Sequence, residues 1–230
     1  MPSDPNSPKL AYGINEASTA YILRELRKQK TIAAFALEFT VLTAARTGEV
    51  VGATWDEVDL EKAVWTVPAC RMKAAREHRV PLSLPALDIL RKMKGLGRAW
   101  VFPAFKGQQL SGMAMAMLLR QMHPDVMVHG FRSIFREWAA NCTAHPHEVF
   151  EMALGHTTAN KAEAAYRRSD FFEERRRLME EWADYCAGDG VIEPENAKIN
   201  SSGIVRSRNG VIRQPDSGMA GSPFSTLIGE

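Results

Sequence analysis

The chain has 230 residues, 45% of them hydrophobic, with a formal net charge of +2. That is a globular composition, long enough for one domain with appendages, and too nearly neutral for net charge alone to announce a polyanion as partner. No stretch approaches ~18 consecutive apolar residues, and the start MPSDPNSPKLAYG lacks the basic-then-apolar order of a secretory signal, so neither a membrane span nor export is expected.

Residues 1–13 hold three prolines and several small polar residues and read as a flexible lead-in. Asn15 or Ser18 is placed to cap a helix running to about Lys28, with Ile22, Leu23 and Leu26 on one face. Thr31 is placed to cap a second helix, in which Ile32, Phe35, Ala36, Phe39 and Leu42 recur at helical spacing. It should end near Arg46, because Thr47-Gly48 is a turn signal. Between Trp55 and Ser83 the period changes to two. VWTVP and HRVPL read as the arms of a β-hairpin, a third short strand near 55–58 completes a small sheet, and the basic loop 70–77 joins the arms.

Pro85 suits the first turn of a helix to about Lys94, stopped by Gly95 and Gly97. Ser111 should start a methionine-rich helix through Met122, whose Met113, Met115 and Met117 read as core or interface filler. Further helices are expected over 130–142, 147–154, 161–167 and 171–187. Beyond them, residues 188–230 are rich in glycine and serine and read as a flexible tail. The fold class is therefore α+β, mainly α-helical, with a small three-stranded antiparallel sheet, in one domain spanning residues 14–187. Cys70, Cys142 and Cys186 stand singly without CxxC spacing, as reduced thiols of a cytoplasmic protein do.

One set of residues carries chemistry. Arg46 lies in AARTGEV, Lys73 in RMKAAREHRVPLS, His129 and Arg132 in HGFRS, His156 in ALGH and Tyr166 in KAEAAYRRSD. A hydroxyl nucleophile with two arginines, a lysine and two histidines is a toolkit for attacking a phosphodiester without a metal. Arginines hold non-bridging phosphate oxygens bidentately, tyrosine can form a covalent phosphoryl intermediate, and histidine and lysine move protons. Each member has a plainer alternative. Arg46 could neutralise a helix C-terminus, His156 could be a surface histidine behind a Gly155 cap, and Lys73 could belong to a solvated basic loop. His129 and Arg132, three apart at a helix start, share one face, and that helix end offers N–H groups to an anion.

Arg71, Lys73, Arg76 and Arg79 fall within nine residues, and Arg167 and Arg168 follow the tyrosine. Arg71, Arg76, Arg79, Arg167 and Arg168 are therefore candidate DNA contacts. Arg175, Arg176 and Arg177 continue the basic run, or form a solvated helix face paired with Glu173 and Glu174. His145, Pro146, His147 and Glu148 crowd together but lack HExxH spacing, so no metal is expected.

In order and spacing these motifs resemble the catalytic domain of the tyrosine recombinases, the phage-integrase family, from about Thr31 to Cys186. AARTGEV resembles the family's first arginine box, HGFR its histidine-x-x-arginine box, and LGH with a tyrosine ten residues later its third box. The wording around them is similar to integrases of prophages and satellite phages. The resemblance implies that Arg46, Arg132 and His156 hold the scissile phosphate, with Glu49 orienting groups near Arg46. It implies that Lys73 protonates the leaving 5′ oxygen and that Tyr166 forms a 3′-phosphotyrosyl bond without metal, cofactor or ATP. The implied partners are double-stranded DNA at attachment sites and further copies of the chain, as a tetramer exchanging a C-terminal segment. Phe171, Phe172, Leu178, Met179, Trp182 and Tyr185 could serve that docking or pack on their own domain.

The chain departs from the family in that only about 30 residues precede the first box-bearing helix, where a core-binding domain is usual, and in an unfamiliar tail. Two alternatives stay open on the residues: an enzyme that nicks and reseals one strand, as type IB topoisomerases do, and a DNA-binding remnant without activity.

Overall fold

The computed structural model describes residues 16–156 and 170–188. Among these are eight α-helices: α1 (Glu16–Lys28), α2 (Ile32–Thr43), α3 (Thr47–Val51), α4 (Leu84–Met93), α5 (Ala114–Met122), α6 (Gly130–Cys142), α7 (His147–Ala153) and α8 (Phe172–Ala187). Three strands, β1 (Val58–Asp59), β2 (Val64–Val67) and β3 (His78–Pro81), form one antiparallel sheet in that order. The lead-in 1–13, the helix expected over 161–167 with Tyr166, Arg167 and Arg168, and the tail beyond Gly188 lie outside the described residues.

The core is built around α2, which packs against α1, α3, α4, α5 and α8. Thr31 caps it, its hydroxyl accepting the Ala34 N–H at 3.2 Å. The one-faced periodicity expected for this helix understates its burial: Ala34, Ala36, Leu37, Phe39, Val41 and Leu42 are all buried. A helix apolar all round belongs inside a fold, with neighbours on every side. Its polar positions are satisfied locally. Thr40 and Thr43 donate to the carbonyls of Ala36 and Phe39 at 2.7 Å, and Glu38 accepts from Arg27 of α1 at 2.6 Å.

Three expected boundaries move. Helix α2 ends at Thr43, because Ala44 turns into the left-handed region at φ 48°. Thr47-Gly48 is then not a turn but the start of α3, which Glu49 stabilises by accepting the Arg46 N–H at 2.9 Å. An acidic group at that third helical position satisfies an otherwise orphaned donor and the dipole together. Helix α5 begins at Ala114, after a turn in which the Ser111 hydroxyl accepts the Met113 N–H at 3.2 Å. The third strand falls at Val58–Asp59, behind a 3-10 turn at Trp55–Glu57.

The hairpin arms pair as read, with Trp65 opposite Val80 and Val67 opposite His78. Trp65 is fully buried against Phe39 of α2 at 5.5 Å between ring centroids, and its indole N–H donates to Glu57 at 3.0 Å. The apolar stripe of α8 packs on its own domain. Leu178, Met179, Trp182 and Cys186 are buried, and the Trp182 indole N–H donates to the Val41 carbonyl of α2 at 2.8 Å. Tyr185 stacks on Trp182 at 5.3 Å. Burial pushes the Cys186 thiol up, which keeps it protonated and inert. No helix among the described residues is long and apolar enough to cross a membrane.

Trp182→Ala should therefore cost about 3–5 kcal/mol in chemical denaturation, the usual range for deleting a fully buried large aromatic ring. A loss below ~1 kcal/mol would show that α8 is not part of the folded core.

Candidate active site

Arg132 lies on the first turn of α6 and is only 6% exposed. A cation cannot stay in such a place without acceptors, and it has two backbone carbonyls. One guanidinium nitrogen donates to the Ala44 carbonyl at the end of α2, the other to the Leu154 carbonyl at the end of α7 at 2.8 Å. Both acceptors are helix C-caps, where the peptide dipoles leave partial negative charge. Burial, then the like charge of Arg46, pulls the guanidinium down to about 10, so it remains charged at neutral pH.

Two residues beyond each carbonyl stands another expected site residue: Arg46 after Ala44, and His156 after Leu154. His156 is placed by the closure of α7. Gly155, at φ 61°, returns its N–H to Met152 at 3.0 Å, and the His156 N–H returns to Glu151 at 3.0 Å. These are the two bonds of a Schellman cap. The imidazole Nδ1 meets the Glu151 carboxylate at 2.7 Å, and Nε2 faces Arg132 Nη2 at 3.5 Å. Arg46 is held from behind: its guanidinium donates to Glu49 at 2.7 Å, while Glu49 itself is buried.

Lys73 is exposed on the hairpin loop, but the residues before it are fixed. Arg71 donates to the Glu57 carboxylate and to the Glu49 carbonyl, lying over Gly52 where any Cβ would meet it at 2.8 Å. Met72 is buried, with its methyl 3.1 Å from where a Cβ on Gly155 would stand. Lys73 follows these two anchors. Arg46, Lys73, His129, Arg132 and His156 thus line one open cavity of about 520 Å³, with Ala74 and Gly155. Tyr166 lies outside the described residues. Two guanidiniums, an ammonium and two imidazoles around one opening suit a single polyoxyanion such as a phosphodiester.

The model of the phage integrase family matches residues 14–173, well over half of the chain. The chain belongs to the phage integrase family. It is 43% identical over 150 residues to prophage integrase IntA of Escherichia coli K12, covering 63% of this chain and 36% of that protein. It is 32% identical over 171 residues to the integrase of Enterobacteria phage P4, covering 65% of this chain and 39% of that protein. The chain thus spans less than half the length of these curated relatives. In fold it is similar to XerA recombinase, with a TM-score of 0.53 at 15% identity over 76% of this chain and 64% of that one. A lambda integrase dimer bound to a core site gives 0.53 at 16% identity, over 68% of this chain and 62% of that one.

For this family member the structure redistributes the basic residues outside the cavity. Arg71, expected to touch DNA, spends its guanidinium on Glu57 and Glu49 instead and ties the hairpin loop to α3. Arg76 is exposed on the loop, as a DNA contact must be. Arg79 is exposed but lies 4.1 Å over the Phe172 ring and 3.4 Å from Asp170. Arg175 is neither a solvated nor a DNA-facing residue: it is 2% exposed and donates to Asp170 and to the Arg79 carbonyl at 2.6 Å. His145 meets Glu181 at 3.1 Å, and His147 packs edge-on against Phe150. The start of α6 offers an anion less than expected, since the N–H groups of Gly130 and Arg132 already donate to Met127 and His129.

Two residues next to the cavity escaped the sequence reading. Glu151 is one, and its signal was its place five residues before a histidine that follows a capping glycine, the pair such a cap brings together. The other is His78, whose Nε2 lies 3.3 Å from the Ala153 carbonyl beside Gly155. Burial, then the Arg175 charge, pushes His78 down to about 4, so it is neutral and donates to that carbonyl. No sequence signal marks it.

Arg132→Lys should lower stability by roughly 1–3 kcal/mol in urea, because one ammonium cannot serve both buried carbonyls. Arg46→Lys, half-buried and paired with Glu49, should cost under ~1 kcal/mol. Equal costs would remove the structural role given to Arg132.

His78 should also make stability acid-sensitive. Its folded value lies below the unfolded one, so its contribution is complete above the unfolded value of 6.5 and lost as the pH falls toward about 4. His78→Gln, unfolded in urea at pH 7 and at pH 4.5, should lose less stability on acidification than the parent chain. An identical loss in both would refute this.

Proposed function

We propose that this chain is the catalytic part of a site-specific DNA recombinase, cutting and rejoining duplex DNA through a covalent tyrosyl intermediate. The observation that supports it best is the convergence of Arg46, Lys73, His129, Arg132 and His156 on one cavity, with Arg46 and His156 ordered around the buried guanidinium of Arg132.

In this mechanism Arg46 and Arg132 take the non-bridging oxygens of the scissile phosphate. The free edges of their guanidiniums suffice, because Glu49 and the two carbonyls occupy only part of each fork. His156 adds a hydrogen bond to a phosphate oxygen. Such preorganised donors are each worth on the order of 10²–10³ in rate. Tyr166, assigned from its place in the third box, attacks phosphorus through its hydroxyl oxygen, and His129 takes the proton. The bond to the 5′ oxygen breaks, and Lys73 supplies the proton to that leaving oxygen. A phosphodiester becomes a 3′-phosphotyrosyl diester and a free 5′ hydroxyl, so the step is reversible and needs no ATP. Attack by the 5′ hydroxyl of a partner duplex completes strand exchange.

The cationic side chains supply the charge stabilisation for which other phosphoryl-transfer sites use a metal. Assembly on DNA follows the solved relatives, among them a lambda integrase tetramer bound to a Holliday junction. The setting is the cytoplasm, where the chain would meet attachment sites as double-stranded DNA. Arg76 and the exposed edge of the hairpin loop are the assigned phosphate contacts, together with Arg167 and Arg168.

A nicked suicide duplex carrying an attachment site, incubated in excess EDTA, should trap a heat-stable protein–DNA adduct. Tyr166→Phe should abolish the adduct and leave duplex binding at matched salt nearly unchanged. Transfer of the trapped strand to a second duplex separates recombination from simple resealing. An adduct that persists in the tyrosine variant names the wrong nucleophile, and no adduct from the parent chain leaves the DNA-binding remnant.

A further inference from the structure

Glu151 is the C3 residue of the cap that closes α7, and His156 is its C″ residue. Five residues apart, they are joined twice: the His156 N–H donates to the Glu151 carbonyl at 3.0 Å, and His156 Nδ1 meets the Glu151 carboxylate at 2.7 Å. In most caps of this kind the C3–C″ contact is apolar. Here it is ionisable and only 15% exposed at the glutamate. A second element completes the arrangement. Arg136, one helical turn after Arg132 on α6, donates its Nε to the same carboxylate. His147, on the helix of Glu151, stands 3.7 Å away. Burial pushes the Glu151 carboxyl up, but the hydrogen bonds from Arg136 and His156 outweigh it and hold the group below the usual carboxylate range. The group is therefore an anion at neutral pH.

An ordinary surface ion pair would explain one of these contacts and not their combination. Glu151 takes donors from α6 and from the cap, with His147 of α7 close by, and it is the partner of His156 on the side away from the cavity. A carboxylate only accepts, so Nδ1 must carry the proton. The neutral ring then keeps its lone pair on Nε2, the nitrogen that faces an Arg132 N–H at 3.5 Å. Protonation of Nε2 turns the same nitrogen, without ring rotation, into a donor toward whatever anion fills the cavity.

We infer that Glu151, braced by Arg136, is a positioning residue that fixes the tautomer and ring orientation of His156. The consequence for catalysis rests on the strand-transfer reading above; the tautomer itself does not. Outer carboxylates that orient histidines toward metals are worth 10–100-fold in function, and roughly 10-fold or more is the expected effect on covalent attachment here.

The test has two arms. In the first, ¹⁵N NMR of the histidine side chains is recorded on the chain without DNA, at a pH where His156 is neutral, with His156→Gln used for assignment. The parent chain should show the Nδ1–H form, Glu151→Ala a mixture of both tautomers, and Glu151→Gln, whose carbonyl oxygen can still accept, should restore Nδ1–H. An unchanged tautomer in Glu151→Ala overturns the inference, whether or not the chain cuts DNA. In the second arm, single-turnover attachment to the nicked duplex is measured in a double-mutant cycle. Glu151→Ala should slow attachment at unchanged duplex affinity, and should cost nothing further in the His156→Ala background. A full additional loss there would mean that Glu151 acts on the fold and not through His156. Should the parent chain form no adduct while the tautomer follows Glu151 as stated, the recombinase reading fails and the positioning role stands.

Discussion

A buried guanidinium bridging two helix ends organises the rest of this site. Arg132 draws the Ala44 carbonyl and the Leu154 carbonyl to one point, and from there the chain needs only two residues in each direction to reach Arg46 and His156. The arrangement exploits a general asymmetry: helix C-termini expose carbonyls and partial negative charge, and a cation is the group that satisfies both. It also accounts for a conformation that would otherwise be costly. Ala44 sits at φ 48°, where a side-chain-bearing residue carries roughly 1–2 kcal/mol of strain, and its carbonyl is one of the two that Arg132 holds. The residue that organises the cavity is thus also one that faces its contents.

Behind this cation the site is layered by charge. Glu49 and Glu151 lie on the far side of Arg46 and His156, each within five residues of the group it orients, so both pairs form within a single helix start or helix cap. Arg132 has carbonyls where the other two have carboxylates, and its neighbour Arg46 opposes it. Negative charge is therefore tethered at the back while positive charge faces the opening. Without an anion the like charges of Arg46 and Arg132 oppose one another, and on the proposed reading a phosphate would relieve that repulsion. Preorganisation of this kind is the larger part of what a site can contribute to phosphoryl transfer. Lys73 differs in being exposed, yet Arg71 and Met72 immediately before it are pinned, which fixes its origin and leaves its side chain free to move.

Local information was enough for most of the fold. The hairpin, the Thr31 cap, the Pro85 helix start and the bounds of α6 follow from periodicity and capping chemistry within a few residues. The site was readable because its boxes are local too. What escaped is what depends on distant partners. Arg71 looked like a DNA contact because a run of arginines says nothing of Glu57, 14 residues away, and Arg175 looked like surface because its acceptor on Arg79 is 96 residues away. Thr47-Gly48 was misread for a different reason. Glycine at a helix start is as acceptable as at a turn, and the deciding group is Glu49, which reaches back to the Arg46 N–H. The stripe on α8 could not choose between its own domain and a neighbour until Val41 appeared as the acceptor for Trp182.

Arg175 also shows how segments distant in sequence are fastened to one frame around the cavity. Asp170 follows Tyr166 by four residues, and it is held by Arg175 through both its carbonyl at 2.9 Å and its carboxylate at 3.0 Å. Arg175 in turn donates to the carbonyl of Arg79 on β3. That strand begins at His78, directly after the loop that carries Lys73, and His78 touches the Ala153 carbonyl beneath the cap that carries His156. The loop that carries Lys73, the cap that carries His156 and Asp170 are thus all tied to a single short strand. A displacement of β3 would move all three together, so the lysine loop, the histidine cap and Asp170 keep their places relative to one another.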